Sequence, residues 1–184
     1  TNTNTNANNI NPYTNTNTTY NKNNGLGDNS VWAICEDSKG NIFFGTNENG
    51  VSCFDGKNFK NISSTEGLAS NLVYAVITDS KDRLWVGTDK GINKISFGKG
   101  FTMNGMKFYG EQDGLKAAEV SQHGFMYDRE KELWISTAFG LTRYNANYDY
   151  VNSTPPRLIM ATIKLYFQAV DWRKYTDKID ESNK

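Results

Sequence analysis

Few side chains in this 184-residue sequence could do catalysis. It has one histidine, His123, so it cannot supply a two-histidine metal site, nor a repeated nucleophile–histidine–acid set. His123 sits in Ser121-Gln122-His123-Gly124 and reads as a structural or solvent-facing residue. The carboxylates Asp37, Asp55, Asp79, Asp82 and Asp128 fall in turn-like segments. Glycoside hydrolysis instead needs two carboxyl groups roughly 5–10 Å apart across a sugar. No Gly-x-Gly-x-x-Gly or other phosphate-cradling loop occurs. Cys35 and Cys53 are too few for a disulfide framework or a zinc centre; one disulfide and two buried free thiols both remain open. The expectation is a protein that is not an enzyme and carries no cofactor or metal.

What remains is binding chemistry. Asn29, Asn47, Asn71 and Asp89 lie close in sequence to Trp32 and Tyr74. Amides and carboxylates bond hydroxyl groups, and aromatic faces stack on sugar rings, so these six are the candidate ligand residues. Asn29 and Asn71 are equally good turn formers, and Trp32 and Tyr74 would also suit a core. Lys+Arg and Asp+Glu number 20 each, which leaves no basic excess for a nucleic-acid partner. No apolar run approaches the roughly 18 residues of a membrane span, and no signal peptide is visible at the start.

The elements that must position these residues are repeats. Gly25-Leu26 recurs as Gly67-Leu68 and Gly114-Leu115, with a period of about 42 to 47 residues. Asn29-Ser30-Val31-Trp32-Ala33-Ile34 recurs as Asn71-Leu72-Val73-Tyr74-Ala75-Val76. Ile42-Phe43-Phe44-Gly45-Thr46 matches Leu84-Trp85-Val86-Gly87-Thr88 and Leu133-Trp134-Ile135-Ser136-Thr137. Gly50-Val51, Gly91-Ile92 and Gly140-Leu141 close each block, and Tyr20, Ile62 and Tyr109 stand five residues before their Gly-Leu pairs. Short β-branched and aromatic runs between turns such as Asp37-Ser38-Lys39-Gly40 predict strands. Four strands per repeat make one β-propeller blade. Val31-Ala33-Cys35 and Val73-Ala75-Ile77 then form innermost strands, and Phe43, Trp85 and Trp134 pack between blades.

The pattern Gly-Leu-x-x-Asn-x-Val, then Asp-Ser-Lys, then Leu-Trp-Val-Gly-Thr, then Gly-Ile resembles the two-component regulator propeller repeat of Bacteroidota hybrid sensors. The third copy is divergent: Asp128-Arg129-Glu130-Lys131-Glu132 replaces the usual turn, and Ser136-Thr137 replaces Gly-Thr. Thr154-Pro155-Pro156 and the alternating Ile159, Ala161, Ile163, Leu165 and Phe167, read as one strand, resemble the lead-in to the Ig-like Y_Y_Y domain of those sensors.

The resemblance implies an all-β chain. An Asn/Thr-rich leader over 1–24, whose end at 18–20 could be the last strand of an earlier blade, precedes blades at 25–66, 67–113 and 114–152. A linker and the start of a Y_Y_Y-like domain follow at 153–184. By the same inference the segment is periplasmic or extracellular, senses an oligosaccharide, belongs to a dimeric sensor, and signals to a kinase. The alternative is a secreted or surface propeller that serves as an assembly scaffold. Propellers close with about four to eight blades, so other blades or other chains must complete the ring.

Overall fold

The computed structural model describes residues 18–149, 163–165 and 168–170. The chain divides into two compact units, Thr1–Ala146 and Asn147–Lys184. Three antiparallel sheets follow one another along the first unit. The first contains β1 (Val31–Glu36), β2 (Ile42–Thr46), β3 (Val51–Phe54) and β4 (Phe59–Ile62). The second contains β5 (Val73–Thr78), β6 (Leu84–Thr88), β7 (Gly91–Phe97) and β8 (Met103–Tyr109). The third contains β9 (Val120–Tyr127), β10 (Leu133–Thr137) and β11 (Gly140–Tyr144). Four strands were expected there; among the described residues the third sheet has three. Spatial order equals chain order in every sheet, as short hairpin connections require. The first strands abut, β1 on β5 and β5 on β9, so the sheets are the blades of a propeller segment. The stretch 18–20, weighed as the end of an earlier blade, forms no strand, although Tyr20 packs its ring 5.1 Å from Phe54 and 5.5 Å from Phe59.

The turn aspartates do one job three times. Asp37 Oδ1 accepts from the backbone N–H groups of Lys39 and Asn41, both at 2.9 Å. Asp79 holds Lys81 and Arg83 in the same way at 2.9 and 3.0 Å, and Asp128 holds Glu130 and Glu132 at 2.9 Å each. The divergent third turn therefore keeps its organising carboxylate. In each turn one residue is left-handed: Gly40 (φ 81), then Asp82 (φ 55) and Lys131 (φ 63), which lack glycine's freedom there.

The Gly-Leu pairs have a physical cause. Each glycine ends a single 3-10 turn in the left-handed region, at φ 106, 107 and 97 for Gly25, Gly67 and Gly114. The chain reverses there, and Leu26, Leu68 and Leu115 drop into the core.

The core lies between blades. Phe43, Val51, Cys53 and Ile62 of the first blade pack on Val73, Val76, Leu84, Val86 and Ile95 of the second. Ala75, Trp85, Ile92 and Tyr109 of the second meet Leu115, Val120, Leu133 and Ile135 around the third. A Cβ added at Gly45 would lie 2.7 Å from Val73, and one at Gly87 would lie 2.7 Å from Val120, so each Gly-Thr glycine admits the next blade's inner strand. Ser136 occupies that position in the third blade.

Phe43 and Trp85 are buried at the two interfaces, 0% and 1% exposed. Lys94 extends over Trp85, with Nζ 5.1 Å from its ring centroid, and over Tyr109 and Tyr144 at 5.2 and 5.5 Å. Trp134 departs from the expectation that it too packs between blades. It is half-buried on the outer face of the third sheet, with the Arg143 guanidinium 5.9 Å from its ring and its indole N–H on Asp128 at 2.8 Å. Cys35 and Cys53 are free thiols that flank Phe43 in register across three strands.

In the second unit, β12 (Ile163–Leu165) pairs antiparallel with β13 (Gln168–Val170), Ile163 opposite Val170. The strand expected across Ile159 to Phe167 lies largely outside the described residues; within it Ile163–Leu165 is a strand, paired with Gln168–Val170.

Candidate functional site

The inner strands carry the site. In the first blade Val31 pairs with Thr46 and Ala33 with Gly45, so Trp32 is the extra residue of a β-bulge. In the second, Val73 pairs with Thr88 and Ala75 with Gly87, which makes Tyr74 the bulged residue. Successive blades bring the two rings together, centroids 5.3 Å apart at an interplanar angle of 36°. Both are half-buried, so they form neither a closed core nor free surface. Trp32 donates its indole N–H to Ser30 Oγ at 3.0 Å, which orients the ring.

The loops entering the inner strands and those joining second to third strands meet on this rim. Asn47 donates its backbone N–H to Ser30 O at 3.1 Å, and Ala138 does the same to Glu119 O at 3.1 Å. Asp89 holds the matching position in the second blade and is half-buried, as is Asn47. The Tyr74 phenol is pushed above its ordinary range, first by burial and then by the carboxylates of Glu119 and Asp89.

Asn29 and Asn71 take a different part. Asn29 Oδ1 accepts from Lys22 N at 2.9 Å, and Asn71 Oδ1 accepts from Ser64 N at 2.7 Å. Each fastens the 3-10 turn to the loop that presents the aromatic residue, so these oxygens position the rim. Of the six candidates, the structure brings Trp32 and Tyr74 into contact, sets Asp89 near enough to Tyr74 to raise its phenol, gives the Asn29 and Asn71 oxygens to backbone, and holds Asn47 by its own backbone N–H.

Sequence reasoning passed over Glu119. Alignment of Val31, Val73 and Val120 would have placed it in register with Ser30 and Leu72, just before an inner strand. It also missed the third bulge. Val120 pairs with Thr137 and Phe125 with Ile135, so Ser121, Gln122, His123 and Gly124 all stand against Ser136. His123 is exposed there and left-handed, φ 54.

The turn carboxylates lie on the other rim and are taken up by backbone and side-chain donors around their own turns or, for Asp82, the turn of the neighbouring blade. Asp55 is held below the usual carboxylate range by the Asn58 N–H, and Asp82 by the Ser38 N–H. Asp128 is lowered first by the Trp134 indole N–H. Among the described residues no group of three or more His, Cys, Asp or Glu side chains could hold a metal ion, and no helix is long and apolar enough to cross a membrane.

Comparison with known proteins agrees with the repeat. Residues 25–48 and 67–90 match the family described as Two component regulator propeller. The extracellular domain of a protein described as a hybrid two component system, BT3049 of B. thetaiotaomicron, is similar in fold. Its TM-score is 0.54 at 22% identity, covering 68% of this chain and 18% of that one. This chain thus spans under a fifth of the length of that domain. PorZ, a surface component of the type-IX secretion system of Porphyromonas gingivalis, matches at TM-score 0.48 and 15% identity, over 62% of this chain and 17% of that one. Virginiamycin B lyase of Staphylococcus aureus matches at TM-score 0.47 and 15% identity, over 64% of this chain and 39% of that one. At such scores neither of the last two bears on function. No curated protein matches the chain.

Proposed function

We propose that this chain is a non-enzymatic, ligand-sensing segment from the periplasmic or extracellular region of a two-component sensor, and that it binds an oligosaccharide. The observation that carries the reading is the Trp32–Tyr74 ring pair, set by matching bulges in the two repeats that fit the regulator-propeller family. Two tilted rings with polar groups at their edge suit a sugar, whose axial C–H groups pack on π-faces while its hydroxyls bond carboxylates and amides. Blades at 25–66, 67–113 and 114–152 belong to this proposal, as do a Y_Y_Y-like start at 153–184 and further blades to close the ring. In a dimeric sensor the ligand would bias subunit arrangement, and the following domain would pass that bias to a kinase.

Calorimetric titration with a panel of glycan fragments tests the reading. Heat that is lost in Trp32→Ala and Tyr74→Ala supports it; absence of heat with every glycan removes it. A second reading, an assembly scaffold, is favoured by the apolar side chains on the third blade: Phe139 is 81% exposed, Leu141 66% and Met126 59%. Tight binding of a protein partner, abolished by Leu141→Asp and not by Tyr74→Ala, would favour that scaffold.

A further inference from the structure

Asp89 differs from the other turn aspartates in having no structural work. It opens the two-residue turn Asp89-Lys90 between paired Thr88 and Gly91. That turn is already held by Thr88, whose Oγ1 accepts from Lys90 N at 3.1 Å and donates to Gly91 O at 2.8 Å. Asp89 Oδ1 is buried and has no hydrogen-bond partner. Leaving a buried acceptor unpaired is unfavourable by about 1–3 kcal/mol, and more when it is charged. A carboxylate oxygen in that condition lacks a donor, and a cationic donor satisfies it best.

Its neighbours suit a cation as well. The Trp32 and Tyr74 rings lie against each other at 5.3 Å, and the Trp32 indole N–H is given to Ser30, so the pair offers π-faces. Glu119 supplies a second carboxylate near Tyr74, which both acids push upward. The equivalent of Asp89 is Asn47 in the first blade and Ala138 in the third, so the middle blade alone places a carboxylate at this point. The lysines of this rim, Lys90 and Lys116, are exposed.

We propose that the Asp89–Tyr74–Trp32 corner binds a protonated primary amine, the carboxylate accepting its N–H while the rings receive the cation on their faces. Resting on the saccharide reading above, this makes amine-bearing sugars the preferred class and disfavours uronates, which would bring a like charge to Asp89 and Glu119.

Titration calorimetry of the full chain at neutral pH tests it with four probes: a glucosamine oligomer, its N-acetylated counterpart, an oligogalacturonate, and spermidine as an amine without a sugar. The glucosamine oligomer should bind at least about tenfold tighter than the acetylated one. Asp89→Asn should erase that difference without lowering the melting temperature, since it removes the charge from a buried, unpaired group. Added salt should weaken the glucosamine oligomer selectively, a check on the wild-type chain that does not depend on any variant folding.

Equal binding of the two oligomers, or a preference that survives Asp89→Asn, overturns the inference while leaving the saccharide reading intact. Spermidine binding that depends on Asp89, with no sugar bound, keeps the amine site and removes the saccharide. Silence from all four probes removes both.

Discussion

Ser38 of the first blade and Asp82 of the second are joined twice, the Ser38 backbone N–H to Oδ1 at 3.0 Å and its hydroxyl to Oδ2 at 2.8 Å. Lys39 adds an ion pair to Asp82 at 3.5 Å. This clasp ties neighbouring blades at the rim opposite the aromatic pair. Its contacts also hold the Asp82 carboxyl below the usual range, the Ser38 N–H foremost.

A lowered pKa in the folded state gives stability that is present above the unfolded value, near 3.9 for Asp, and lost as pH falls through the folded value. Asp55 and Asp128 share the direction. The melting temperature should therefore drop as pH is taken from about 4 downward. Asp82→Asn should lower it at neutral pH, and its deficit relative to wild type should shrink in acid. A deficit that grows in acid would mean that the clasp does not favour the ionised form.

Trp85→Ala should destabilise the chain by about 3–5 kcal/mol in urea unfolding, because the ring is sealed between two blades. Trp134→Ala, at the same repeat position with one face open, should lose about 1 kcal/mol. Similar losses in both would place a covering layer over the third sheet.

Burial pushes the Cys35 thiol up to about 12 and raises that of Cys53 as well. Thiolate is the reactive form, so Ellman's reagent at pH 8 should label neither cysteine appreciably until denaturant is added, and then both. Fast labelling of the native chain would contradict the packing around Phe43.

Lys131 holds a left-handed turn position at φ 63, its backbone N–H donated to Asp128 O at 3.0 Å. Lys131→Gly should stabilise by about 0.5–1 kcal/mol, the strain relieved exceeding the added chain entropy. Asp82→Gly relieves the same strain yet should destabilise, since it removes the clasp to Ser38. Differential scanning calorimetry on the two variants would show opposite shifts.

The strand pattern was legible because it depends on local rules: a turn aspartate, a glycine that reverses the chain, and apolar alternation. Ala33 and Ala75 could be read as inner-strand positions for the same reason. Trp134 differs from Trp85 because burial belongs to the neighbour and not to the residue; among the described residues of the first unit, Trp85 has a sheet against it and Trp134 does not. The bulge Ser121–Gly124 escaped because extra residues looped from a strand leave no periodic trace. Asn29 and Asn71 were seen as polar and near aromatic residues, but whether an amide faces ligand or backbone depends on what lies seven residues upstream, at Lys22 and Ser64.

The Gly45 and Gly87 contacts give the stack a direction. Each leaves a notch for the valine that comes after it, and Ser136 fills the third notch with a hydroxymethyl group whose oxygen is tied to Ser121 at 3.2 Å. A newcomer arriving in the same pose as its predecessors would collide with that side chain. A neighbour in that pose would need either a smaller residue than valine or a wider seat, so Ser136 alters the rule that Gly45 and Gly87 set for the earlier blades.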